Sequence, residues 1–180
     1  FLNNRVELLR AQAETQQGKI SLLQGQSEAE RKQIAQLEAQ RRFNDRFAEV
    51  SAQFTGDEAE VYKKDRSLVI RLRSIDFPVG STVVLPQSYP LMAKVQRAIR
   101  SFDDPLVVVE GHTDSTGSTE VNDRISQARA DAVKAYLVEQ GVAEERLLPQ
   151  PYGANRPLVF GNTDAENAIN ERIEFFVVEG

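Results

Sequence analysis

Cysteine is absent from the 180 residues, which excludes disulfides and thiolate metal sites but leaves the cellular compartment open. No run of eighteen or more apolar residues occurs, so no segment of the chain is read as a membrane-spanning helix. Positive charge is in short supply. Against 27 Asp/Glu stand 22 Lys/Arg, a net of -5, which argues against a general nucleic-acid binder, whose phosphate contacts need a basic surface. The single histidine, His112, cannot assemble a usual zinc set alone, and neither a metal nor a cofactor is expected. Proline does not occur before Pro78. The chain starts at Phe1 rather than Met and shows no signal peptide, as a fragment or a processed form would.

What is present is globular in character: 41% apolar and 27% charged residues, with length for one ordinary domain and something extra. The charge is unevenly spread. Residues 1–55 hold eight Lys/Arg and seven Asp/Glu, whereas the remainder holds fourteen and twenty. A nearly neutral segment thus precedes an acidic one, which suggests two structural units.

The first segment is rich in Gln, Glu, Ala, Arg and Leu, all good helix formers. Leu2, Val6, Leu9, Ala13, Ile20, Leu23, Ile34 and Leu37 follow steps of three and four, the a/d seam of a heptad repeat. Gln16, Ser27 and Glu30 fall on the same seam, and Gly18 and Gly25 each add a helix penalty of about 1 kcal/mol. Beyond Leu37 the phase slips to a new stripe, Phe43, Phe47, Val50 and Phe54, as where a helix passes from a partner helix to a globular domain. Residues 1–55 are therefore expected to form a helical, coiled-coil-like stalk of roughly 75 Å at 1.5 Å per residue. It would dimerise or pack on another protein; the alternative is a solvated helix whose Phe-rich end alone packs on the domain.

Residues 56–180 predict a second domain. Residues 59–62 and 67–72 read as strands joined by a polar turn, with Leu68, Ile70 and Leu72 on one face. In the loop 75–81, Phe77 is either core or an aromatic beside a binding cleft. A helix enters at Ser88 or Tyr89 with Pro90 in its first turn. A β-branched strand follows from Leu106 to Glu110, then a glycine-flanked loop, 111–117, then a helix from about Glu120 that Gly141 ends. A strand toward Gly153, a short helix near 165–170 and a strong strand, 172–178, complete the order. The expected fold class is α+β: a two-layer sandwich of helices packed on one face of a mixed sheet, with a long N-terminal helix.

Strand, loop and helix bring Asp114 and Arg129, fifteen residues apart, to one end of the unit. A carboxylate and a guanidinium there suit a small zwitterion, although a plain salt bridge is the commoner use of such a pair. Glu110, His112 and Asp114 alternate along the strand end, so an acid–base or metal cluster is the competing reading. Ser115, Ser118 and Ser126 lack the spacing of a nucleophile elbow.

Gly111-His112-Thr113-Asp114-Ser115-Thr116-Gly117-Ser118, then 122–130 (NDRISQARA), then Tyr152-Gly153 and Asn170-Glu171-Arg172-Ile173-Glu174 resemble the OmpA-like C-terminal domain family, over about Val69 to Val178. The resemblance implies non-covalent binding of peptidoglycan through the diaminopimelate of its stem peptide, without catalysis. It implies that Asp114 accepts hydrogen bonds from the ligand's ammonium and that Arg129 holds its carboxylate. Thr113 and Asn122 would support the loop and the helix start, and Arg172 would flank the cleft. It further implies a periplasmic location, associated with the outer membrane through a region upstream of Phe1. A structural adaptor with secondary wall binding, and a hydrolase using Glu110, His112 and Asp114, are the other readings. The sequence departs from the family at Glu166-Asn167, where a Gly-Arg pair is common, and at Glu171, which replaces the first arginine of the strand motif. The resemblance thus leaves an extra acid beside the expected site.

Overall fold

The computed structural model describes residues 2–73, 75, 77 and 82–179, with side chains from residue 5 onward. Of the expected loop 75–81, residues 76 and 78–81 lie outside the described residues. The chain divides into two compact units, Phe1–Asp45 and Arg46–Gly180.

Helix α1 spans Leu2–Ser51. Leu9, Leu23 and Leu37 of its first unit are 57%, 62% and 63% exposed. The second unit claims the helix end, because the new apolar stripe begins to be covered there. Val50 is fully buried, and the Lys63 ammonium lies 4.6 Å from the Phe47 ring. Arg46 pairs with Asp103 at 3.0 Å and also with Glu179.

The sheet contains β1 (Ala59–Lys64), β2 (Ser67–Leu72), β3 (Leu106–His112), β4 (Leu147–Gly153) and β5 (Arg172–Val178), in the order β1-β2-β5-β3-β4. Only β3 and β4 run parallel. A parallel neighbour needs a crossover, and α3 (Thr119–Glu139) supplies it. Helix α2 (Tyr89–Arg100) follows a 3-10 turn at Pro86–Ser88. It lies beside α3: the Tyr89 and Tyr136 rings meet at a tilt with centroids 5.1 Å apart, and Arg100 donates to the Gln140 carbonyl at 2.8 Å. A short α4 (Asp164–Asn170) precedes β5 and starts with a reciprocal Thr163–Glu166 capping box. The mixed sheet and its helices form the expected α+β fold.

Period two divides the strands cleanly. Leu68, Ile70 and Leu72 register with Val177, Phe175 and Ile173, which register in turn with Val107, Val109 and Gly111. All these side chains are essentially buried, and each large one contributes about 1.5–3 kcal/mol by leaving water. The other face carries a polar row instead. Glu60 faces Arg71, Arg71 faces Glu174, and Glu174 faces Glu110.

Candidate functional site

The site is built where β3 meets α3. The strand continues to His112, two residues further than its β-branched run implies. Gly111 allows this, because its bare Cα faces the Ser126 backbone of α3. Pairing persists one step beyond, with Thr113 N–H donating to the Gly153 carbonyl at 2.9 Å. Asp114 then makes an Asx turn: its Oδ1 accepts from Thr116 N–H at 2.9 Å and from the Thr116 hydroxyl at 2.6 Å. Ser118 caps α3 by accepting from Val121 N–H at 3.3 Å.

Three residues on one face of α3 hold the surrounding elements together. Asn122 Nδ2 donates to the carbonyls of Asp114 (3.2 Å) and Gly117 (3.3 Å), which pins the loop. Ser126 Oγ accepts from Gly153 N–H at 3.0 Å, which pins the end of β4. Arg129, one turn on, is 5% exposed, and its guanidinium lies 5.0 Å from the Phe77 ring centroid. Phe77 thus lies against Arg129. Thr113 is buried behind the loop, and its hydroxyl has no partner among the described residues.

Arg129 does not pair with Asp114, as a plain salt bridge between them would require. Its Nη1 donates to Oε2 of Glu171, the residue that ends α4 and leads into β5. The other oxygen of Glu171 lies 3.5 Å from Asp114 N–H, at the limit of a hydrogen bond. Arg129 Nε is buried without a hydrogen-bond partner among the described residues. One acid thus bridges the Arg129 guanidinium and the 111–117 loop. The departure at Glu171 was visible in the sequence, but its target was not, because the two residues are 42 apart.

The remaining candidates belong to the polar row. Arg172 is buried and donates to Glu174 at 2.6 Å, to the Asn170 carbonyl at 3.2 Å and to the Arg156 carbonyl at 2.9 Å. Those bonds fix it to the sheet and the 156 loop, and no hydrogen bond joins it to Asp114 or Arg129. Arg71 also reaches Glu174, at 3.1 Å. Burial pushes the Glu174 carboxyl up, but the hydrogen bonds and charges of Arg172 and Arg71 together hold it below the usual carboxylate range. Burial, reinforced by the charge of Glu174, pushes the Tyr62 phenol up to about 12.

His112 Nε2 lies 3.3 Å from Glu110, and its ring stacks on Tyr152 at 5.3 Å. Both His112 and Glu110 are buried, while Asp114 is turned to Thr116. The three are thus not convergent as a hydrolytic cluster requires. Among the described residues no group of three or more His, Cys, Asp or Glu could hold a metal. A cavity of about 340 Å³ next to the polar row is bordered by Leu158, Ile169, Arg73 and Glu171, but not by Asp114 or Arg129. Its cations, the half-buried Arg71 and the buried Arg172, both pair with Glu174.

A family model described as OmpA family matches residues 76–171. The chain is 37% identical over 107 residues to outer membrane porin F of Pseudomonas fluorescens, which is 59% of this chain and 33% of that protein. It is 32% identical over 103 residues to the peptidoglycan-binding protein ArfA of Mycobacterium bovis, covering 57% of this chain and 32% of that one. The chain therefore spans about a third of the length of these relatives. Its fold is similar to that of a MotB-like protein from Desulfovibrio vulgaris, with a TM-score of 0.68 at 20% identity, over 79% of this chain and 96% of that one.

Proposed function

The chain belongs to the OmpA family, and from that premise we propose that it binds peptidoglycan non-covalently through the free amino-acid end of a diaminopimelate-type stem peptide. It would work as an anchor in the cell envelope, on the periplasmic side, and not as an enzyme. The observation that carries this reading is Arg129 itself. A guanidinium held in a buried cleft already accommodates a carboxylate, that of Glu171, next to the Asp114 loop. That carboxylate stands in for the acidic end of a ligand. Asp114 would accept from the ligand's ammonium, Arg129 would donate to its carboxyl end, and Phe77 would cover the guanidinium. Thr113 and Asn122 would keep the loop in shape. The relatives lend support, since one is named as a peptidoglycan-binding protein.

Co-sedimentation with purified peptidoglycan tests this. Asp114→Ala and Arg129→Ala are each expected to lower the association constant by about 10- to 100-fold, the value of a charge-assisted hydrogen bond of about 1.5–3 kcal/mol. Wild-type pull-down by both variants would sink the reading.

A second proposal concerns residues 1–55. Leu9, Leu23 and Leu37 share one heptad position yet are exposed, and a helix of this length rarely persists without a packed seam. A stalk that dimerises through these leucines is the reading they favour, with an envelope partner as the alternative. Sedimentation equilibrium of the whole chain should give twice its 20.2 kDa mass. The Leu9→Glu/Leu23→Glu variant should fall to the monomer. A monomeric wild type would remove the dimer.

A further inference from the structure

The acid on Arg129 changes what the cleft can recognise. Asp114, Arg129 and Glu171 together carry one positive and two negative charges. A ligand end bearing both an ammonium and a carboxylate meets two different responses. Its ammonium is attracted by both acids. Its carboxylate must either face Glu171, a like charge in a partly buried site, or evict Glu171 from the guanidinium. Either route costs binding free energy, because like charges brought together at an interface are penalised and a broken ion pair must be replaced.

A primary carboxamide avoids both costs. It is uncharged, and it offers a carbonyl acceptor and an N–H₂ donor side by side. The cleft offers the matching pair. Arg129 Nε keeps an N–H with no partner among the described residues, and Glu171 is an acceptor on the neighbouring nitrogen of the same guanidinium. Glu171 is also the adjustable member, since its side chain is 32% exposed whereas that of Arg129 is 6% exposed. A guanidinium already bound to an acid, next to an unfilled donor, is suited to an amide in the way that a free guanidinium is suited to a carboxylate.

We propose that Glu171 is a specificity-determining residue that turns the cleft toward stem peptides whose diaminopimelate side-chain carboxyl is amidated, and against the free acid. This rests on the peptidoglycan reading above and refines it: the ammonium is still read by Asp114, but the partner of Arg129 is a neutral amide. Glu171 is a built-in competitor for the acidic ligand, and its removal restores preference for that ligand.

The test is calorimetric titration of the full chain with three tripeptides, L-alanyl-γ-D-glutamyl-diaminopimelate as free acid, the same peptide amidated at the side-chain carboxyl, and its lysine analogue. Wild type should bind the amide about tenfold more tightly than the free acid, with the lysine analogue weaker than the amide because it lacks the carbonyl. Glu171→Gln should reverse the order of amide and free acid, and Glu171→Ala should do the same, with unchanged circular dichroism in both. If wild type prefers the free acid, or if both substitutions leave the ratio unaltered, the role given to Glu171 is wrong while wall binding stands. If none of the three peptides binds to wild type or to either variant, the diaminopimelate reading itself fails, and this proposal with it.

Discussion

Gly111→Ala is expected to cost about 3 kcal/mol of stability, near the top of the range for overpacking a filled interior, and to abolish wall binding as well. The reason is steric and local. A Cβ built on Gly111 would lie 2.9 Å from the carbonyl carbon of Ser126 and closer still to its oxygen. No side chain can swing aside to relieve that contact, because the obstacle is the backbone of α3. The helix must slide away from β3, and Ser126, Asn122 and Arg129 move with it. Thermal melting of the whole chain should show a fall on the order of 10 °C, at a few degrees per kcal/mol for a domain of this size. Gly56→Ala, with nothing within 4 Å of its Cβ, serves as the control and should melt within a degree or two of wild type. A Gly111→Ala protein that melts with wild type would mean that α3 does not press on β3 at this glycine.

Glu174→Ala is the second large effect, an expected loss of about 3–5 kcal/mol, the cost of removing one partner of a buried ion pair. Glu174 is 3% exposed and is shared by Arg172 and Arg71. Without it, Arg172, which is equally buried, keeps only two carbonyl acceptors. Urea denaturation at neutral pH measures the loss. The pH dependence follows from the carboxyl being held below its usual range. A depressed folded-state pKa means that the unfolded chain takes up the proton first. Its stabilisation is therefore complete above the unfolded value, near 4.3, and drains away as pH falls through the folded value. Glu174→Gln lacks this component. The stability gap between wild type and Glu174→Gln should be constant at neutral pH and narrow on acidification below pH 4.3. A gap that widened in acid would contradict the ion-pair account.

Much of the fold was legible because its signals are periodic and local. The strands at 67–72 and 172–178, the long α1 and the helix behind the loop all show apolar spacing that matches their period. The boundary at Gly111 was not legible. A glycine after a β-branched run ordinarily marks a turn; here it marks close contact with a helix that begins eight residues later. The polar row was not legible either. Glu110 and His112 alternate with Asp114 as an acid–base cluster would, whereas each acid is met two residues along its own strand, Glu110 by His112 and Glu174 by Arg172, with Arg71 of β2 reaching Glu174 from the neighbouring strand.

The sequence alone determined the α+β class, the family resemblance and the two residue types that suit a zwitterion, since each depends on short spacings that fold predictably. It also flagged Glu171 as foreign to the strand motif. Only the tertiary structure decided that this acid lies on Arg129, that Asp114 is turned toward Thr116, and that Arg172 belongs to the sheet. The first of those facts joins residues 42 positions apart, and no local periodicity encodes which of several nearby carboxylates reaches a given guanidinium. That choice follows from the register of β5 against β3 and from the end of α4, which together bring Glu171 to the 111–117 loop.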